Sequence, residues 1–296
     1  MVSLLPSATE IVFALGRGDE LVGVTFECDY PPEARERRVV STSALPEGLS
    51  PGEIDALVSE RIAAGEDLYR LDERALADLD AELVLTQDLC AVCAVDVDRV
   101  DDALRYLACS ARVLTLDPRS LDEVLDSITT VGTALGAGAR ATAIVAALRS
   151  RLDRLRATVA DTSRPGVLVL EWTDPPFSAG HWVPDLVEAA GGQPVLAHPH
   201  EDSRRLATGD VRNATADVVV LAPCGYHLDA AAALGRDFVG AGQAPTGAAV
   251  WAVDADAFFV RPGPRIVDGA ELLAQILHPD RAGPPTPDRA RKLTGT

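Results

Sequence analysis

Two cysteines three positions apart, Cys90 and Cys93 in "QDLCAVCAV", directly follow the apolar run "LVLT". That spacing suits a redox pair, a metal clamp or a ligand-gripping loop, and equally two small core residues. Other reactive side chains fall at equivalent places in the chain. "LVGVT" is followed by Glu27, Cys28, Asp29 and Tyr30, and "VLVLEW", which ends in Trp172, leads to Asp174, Pro175, Phe177, His181 and Trp182. "VVVLAP" leads to Cys224, and "VWAVD" to Phe258 and Arg261. Four of the five cysteines therefore follow apolar runs, and only Cys109, inside "YLACSA", reads as an ordinary core thiol. Thiolate and imidazole are good transition-metal ligands, so Cys28, Cys90, Cys93 and Cys224, with His181, form a candidate zinc or iron–sulfur set. One C-x-x-C without a second is not a zinc-finger signature, and the pair does not open a helix as a thioredoxin pair does. Aromatic residues make up only 4% of the chain, so their grouping in "EWTDPPF", "GHW" and "AFF" is informative. Rings and paired prolines build a rigid apolar wall for a planar or bulky ligand. No G-x-S-x-G elbow, P-loop or H-E-x-x-H motif is present, and the expectation is a binding protein, not an enzyme.

The elements that must position these residues read as short apolar strands alternating with amphipathic helices, the pattern of parallel α/β sheets. In such sheets ligands bind beyond the carboxyl ends of the strands, where the residues above fall. Ser7 and Glu10 form an S-x-x-E box expected to start the first helix, and Ser50 and Glu53 form a second, with Pro51 at the first helical position. Residues 1–117 read as an N-terminal α/β lobe and 164–278 as a C-terminal one. The segment 118–163 between them contains "RATAIVAALRSRLDRLRATVA", a long helix without turn signals. Residues 279–296, with "GPPTP", are expected to be a poorly ordered tail. The expected fold is two Rossmann-like α/β lobes with parallel sheets, joined by a long backbone helix, with the ligand cleft between the lobes.

The chain has 296 residues, 47% of them hydrophobic, which suffices for two cores. Its 45 acidic against 27 basic residues give a net charge of −18, which argues against nucleic acid and anionic membranes as partners. No run approaches the ~20 apolar residues of a bilayer span, so membrane insertion is not expected. The opening "MVSLLPSATE" lacks a basic region and a long apolar region. Taken as it stands, the chain is expected in the cytoplasm, with an extracytoplasmic location as the alternative.

The segments "SLLPSATEIVFALGRGDELVGVT", "CDYPPEA", "VLVLEWTDPPFSAGHWVPDLVEAAGG" and "RPGPRIVDGAELL" together resemble the cobalamin-binding, class III substrate-binding proteins of ABC transporters. The likeness runs from Val2 to about Leu277. It implies a small-molecule ligand, cobalamin or a related corrinoid, and a possible ABC transporter permease as partner. It also implies that Asp29 and Tyr30 of "CDYPP", Asp174, Pro175 and Phe177 of "DPPF", and Phe258 and Arg261 lie near the ligand. Family members dock on the transporter through one carboxylate per lobe; Glu53 fits the first position, and Asp185 or Glu188 the second. His181 or a thiolate would then approach the cobalt. Two alternatives stay open: a cytoplasmic zinc or iron–sulfur protein, and an enzyme that processes corrinoids through a thiol.

Overall fold

A computed structural model describes residues 1–87 and 111–294. The chain divides into two compact units. One contains residues 1–118 and 126–143, the other residues 119–125 and 144–296. The expected lobes 1–117 and 164–278 each fall within one unit, and the segment 118–163 is divided between the two.

The first unit is built on six strands: β1 (Val2–Ser3), β2 (Gly23–Thr25), β3 (Arg38–Ser43), β4 (Tyr69–Leu71), β5 (Leu83–Thr86) and β6 (Arg112–Thr115). Their order is β4-β3-β2-β1-β5-β6, parallel throughout except for the antiparallel edge pair β3–β4. β2 and β5 are buried along their whole length, as expected of strands covered on both faces. Helix α1 (Pro6–Ala14) starts with Pro6 in its first turn and Leu5 as N-cap, so the expected Ser7–Glu10 box is not its start. Proline's fixed φ starts the helix two residues earlier and carries Ser7 and Glu10 into the buried interior. At the other end Gly16 adopts φ +73°, and two hydrogen bonds, Gly16 N–H to Phe13 and Arg17 N–H to Val12, close a Schellman turn. α2 (Pro51–Ala64) begins with the reciprocal Ser50–Glu53 box that the sequence predicts, and α3 (Glu73–Leu79) is capped by Asp72.

Two helices cross the division. α4 (Leu121–Ala134) begins in the second unit and continues in the first, and α5 (Gly138–Val159) runs the other way. The 22 residues of α5 span about 33 Å.

The second unit holds β7 (Gly166–Thr173), β8 (Pro176–Ser178), β9 (Gln193–Pro194), β10 (Arg204–Arg205), β11 (Val218–Leu221), β12 (Ala249–Val253) and β13 (Ala290–Lys292). The order is β10-β8-β7-β11-β12-β13, with β9 also paired to β7. β7, β11 and β12 are parallel, while β8, β10 and β13 extend the sheet in antiparallel fashion. The remaining helices are α6 (Val183–Ala189), α7 (Thr208–Arg212), α8 (Leu228–Gly240), α9 (Ala255–Phe258), α10 (Ile266–Leu277) and α11 (Pro279–Ala282). Leu168, Leu170, Val219, Leu221, Phe238 and Val250 form one core cluster. α5 is tied to α10 by Arg151, whose guanidinium contacts Asp268 and grips Glu271 with two bonds of 2.9 and 2.7 Å.

The segment 279–296, expected to be poorly ordered, instead forms α11 and β13 through residue 294. Leu293 donates its N–H to Val250 and packs so close to Gly235 that a Cβ there would lie 2.3 Å from its Cδ1. The Pro- and Gly-rich composition covers only the connection; Ala290 and Leu293 bury enough apolar surface to hold the end of the chain.

Candidate functional site

In the first unit the residues after β2 divide by direction. Phe26 and Tyr30 are each 44% exposed, large apolar groups left at the surface. Because β4 runs antiparallel to β3, Tyr69 sits opposite Ser43, at the carboxyl end of β3. Its ring lies 6.3 Å from that of Phe26, and its hydroxyl donates to Glu27 Oε2 at 3.2 Å. Asp29 lies 3.8 Å from the exposed Arg35. Cys28 points the other way. It is 3% exposed, packs with Val24, Ala34 and Phe13, and places Sγ 3.0 Å from Thr9 Oγ1. Cys28 is therefore a small core residue, which corrects its reading as a metal ligand.

In the second unit the exits of β7, β11 and β12 are joined by hydrogen bonds. β7 and β8 form a hairpin whose Asp174–Pro175 bond is cis, and Trp172 Nε1–H donates to the Asp174 carbonyl at 3.0 Å. Trp172 pairs across the hairpin with Phe177, which pairs in turn with Arg205 on β10. Directly opposed residues share a face, so the three side chains form one row. The Arg205 guanidinium carbon stands 5.5 Å above the centre of the Phe177 ring. Tyr226, after β11, extends the row with its ring 5.7 Å from Trp172, edge to face. Burial raises the Tyr226 pKa, so it is a neutral phenol.

Two carboxylates hold the β11 and β12 exits together. Asp256 accepts from Gly225 N–H at 3.0 Å and lies 3.4 Å from Arg261, both side chains being about nine-tenths buried. Asp254 caps α9 through Ala257 N–H and lies 3.1 Å from His227 Nδ1. Cys224 is half-buried and donates its N–H to the Glu171 carbonyl. Phe258 lies 4.4 Å beneath the Arg289 guanidinium.

His181 and Trp182 are placed differently from the aromatic row. Trp182 is 6% exposed and donates Nε1–H to the Phe259 carbonyl at 2.8 Å, a packing role. His181 adopts φ +53°, and its Nε2 sits 3.3 Å from Asp202, which also takes Arg119 at 2.8 Å. Burial pushes the His181 pKa down against the pull of Asp202, so the ring is neutral at pH 7. Among the described residues no three His, Cys, Asp or Glu side chains form a group fit for a metal ion. The zinc and iron–sulfur reading is thus without support, with Cys90 and Cys93 outside the described residues.

Of the docking candidates, Glu53 is exposed and lends its carboxylate to the α2 cap, where the Ser50 hydrogen bonds lower its pKa. Asp185 accepts from Leu121 N–H at 2.8 Å and lies 3.4 Å from His200, whereas Glu188 is exposed on α6. Sequence reading passed over Tyr69, Arg205 and Tyr226. Tyr226 had a signal, since it follows Cys224 in the same strand-end loop; Tyr69 and Arg205 need the antiparallel pairings of β4 and β10.

A family model described as periplasmic binding protein matches residues 1–241. The ABC transporter substrate-binding lipoprotein YvrC of Bacillus subtilis is 27% identical over 292 residues, 95% of this chain and 80% of that one. A vitamin B12-binding protein of Vibrio cholerae is 25% identical over 281 residues, 94% of this chain and 88% of that one. Among solved structures, a periplasmic heme-binding protein from Pseudomonas aeruginosa superposes with a TM-score of 0.73 at 22% identity, covering 99% of this chain and 97% of that one. That likeness establishes the fold, two mostly parallel α/β sheets of the bilobal class. The cytoplasmic location expected from the opening residues is overturned by these relatives, which are a lipoprotein and periplasmic proteins. The thiol-enzyme alternative falls as well, because the relatives bind solutes.

Proposed function

Because the chain belongs to the periplasmic binding protein family, we propose that it captures a metal-bearing tetrapyrrole of the cobalamin type outside the cytoplasm and delivers it to an ABC transporter permease. The observation that carries this reading is the group Tyr226–Trp172–Phe177 at the carboxyl edge of the second unit, Trp172 and Phe177 set by sheet register and Tyr226 meeting Trp172 edge to face. Rings held in place by backbone pairing and by contact with one another lose little freedom when a planar ligand packs on them. Relatives named for vitamin B12 and cobalamin binding favour a corrin over other rings. Asp174, Pro175, Cys224 and Arg261 are the residues near the row in the second unit, and Phe26, Glu27, Asp29 and Tyr30 occupy the strand-end loop of the first unit. Glu53 and Glu188 are the carboxylates offered to arginines of the permease, Asp185 being committed to the start of α4.

Titration with hydroxocobalamin, followed by absorbance and by quenching of tryptophan fluorescence, tests the reading. Saturation at one equivalent is expected, with quenching that disappears in Trp172→Ala. Absence of binding to hydroxocobalamin and to hemin alike would overturn it.

A further inference from the structure

Between β9 and β10 the chain forms a strap, residues 195–203, that folds back over the turn joining β8 to α6. Three residues of the strap and turn hold positive φ without being glycine: His181 (+53°), Leu196 (+57°) and His200 (+66°). A Cβ disfavours that region, so the strap is held closed at a conformational cost. The bonds that hold it converge on the turn. His181 N–H donates to the Glu201 carbonyl at 2.7 Å, His200 N–H to the His181 carbonyl at 3.0 Å, and Gly180 N–H to Ser203 Oγ at 3.2 Å. Gly180 lies so close beneath the strap that a Cβ would stand 2.5 Å from the Glu201 carbonyl oxygen. Past the strap, β10 pairs with β8 over two residues, Arg204 with Ser178 and Arg205 with Phe177. A strand that short can open locally while the sheet behind it stays intact.

His181 sits where these bonds meet. Its side chain is 15% exposed, and its buried Nε2 stands 3.3 Å from Asp202 without, among the described residues, an aligned hydrogen bond. Asp202, on the strap, attracts an imidazolium, while Arg119, just before α4, repels one. Arg119 already holds Asp202 at 2.8 Å, so the carboxylate has less to offer a second cation. From the start of α6 the Trp182 ring lies 5.7 Å away, centre to centre, and supplies no charge. Loss of hydration therefore decides the balance, and the closed strap disfavours the charged ring. His200 faces a different carboxylate, Asp185, at 3.4 Å, and is 58% exposed, so solvent screens that pair. A ring kept neutral in the closed strap takes up its proton freely once water reaches it, and acid thereby favours the open form.

We propose that the strap is an acid-released clasp: protonation of His181 frees residues 195–203 from the turn and from Arg119, and β10 leaves the edge of β8 with them. β10 is the outer neighbour of Phe177, so the clasp decides whether that ring has a strand beside it. The device needs no ligand and stands independently of the tetrapyrrole reading.

In the open strap His181 titrates at its ordinary 6.5 and in the closed strap below that, so the open fraction grows as pH falls through 6.5, by up to about thirtyfold at pH 5. Hydrogen–deuterium exchange of the ligand-free protein, corrected for the intrinsic effect of pH on exchange, measures it. Protection of residues 179–182 and 196–206 is expected to fall about ten- to thirtyfold between pH 7.5 and pH 5, while that of β11 and β12 changes less than about twofold. His181→Asn tolerates positive φ and takes up no proton, so the fall is expected to disappear; in His200→Asn it is expected to persist. Strap protection that ignores pH in the wild type, an equal fall in β11 and β12, or a fall retained in His181→Asn overturns the clasp. Loss of the fall in His200→Asn also overturns it, a result that holds even if His181→Asn does not fold.

Discussion

At the carboxyl edge of the first sheet Phe26 and Tyr30 stand 44% exposed, beside the Tyr69–Glu27 hydrogen bond. At the corresponding edge of the second sheet Trp172, Phe177 and Tyr226 are half-buried; strand register sets Trp172 and Phe177, and the buried Asp256 holds Gly225, the residue before Tyr226. The same residue types are held in two ways. At the first edge Phe26, Glu27 and Tyr30 stand in the loop after β2, with Tyr69 of β4 as a partner. At the other, strand pairing orders Trp172 and Phe177 as the chain folds, so the ligand contact proposed there would lose less entropy.

The sharpest way to break this contrast is to remove one carboxylate from each edge. Asp256→Ala strips the buried Arg261 and Gly225 N–H of a partner and is expected to cost about 3 kcal/mol of stability. Asp29→Ala loses a 3.8 Å contact to the exposed Arg35, and a smaller loss, about 1 kcal/mol, is expected. Urea unfolding of the two variants measures the difference, and equal losses would mean that the second edge is no better determined than the first. A smaller effect concerns the ligand itself. Trp172→Ala is expected to weaken hydroxocobalamin binding by about 2 kcal/mol, roughly thirtyfold, and Tyr30→Ala by about 1 kcal/mol. A reversed order in the absorbance titration would place the main contact on the first unit.

The smallest effect sharpens the contrast by pH. Burial holds the His181 pKa below its unfolded value of 6.5, so below that value the unfolded chain binds more protons at this position than the folded one. Its contribution is therefore present above pH 6.5 and is lost as pH falls through the folded pKa. His181→Asn, which tolerates positive φ, is expected to flatten the acid side of the melting temperature between pH 7 and pH 5 in the second unit's transition. An unchanged slope would assign the acid loss elsewhere.

How much of this was legible in the sequence depends on the kind of interaction involved. Parallel strands declared themselves because burial on both faces turns "VGVT", "LVLT" and "VVVL" into unbroken apolar runs. The Ser50–Glu53 box was legible because a helix cap is made by four consecutive residues. Ser7–Glu10 misled because the same four-residue pattern carries no information about a preceding proline that starts the helix first. Cys28 misled for a similar reason. Its acidic neighbours along the chain suggest an exposed ligand, but alternate side chains leave a turn in opposite directions, and Thr9, nineteen residues away, faces its sulfur. Trp172 and Phe177 were found through their clustering, whereas Arg205 became visible only once a two-residue strand set its register. The antiparallel pieces β4, β8, β10 and β13 are short, and their pairing is decided by distant segments that no local pattern encodes.

β13 has a bearing on any attempt to shorten this protein. The family match ends at residue 241, yet β12, at 249–253, is covered along its outer edge by residues 290–292. A chain cut after α10 would leave Trp251, Ala252 and Val253 with unsatisfied backbone groups along an apolar strand, and that bare edge would recruit the next molecule as its missing strand. Residues 290–292 thus serve as a solubility device, and a well-behaved second unit must include them.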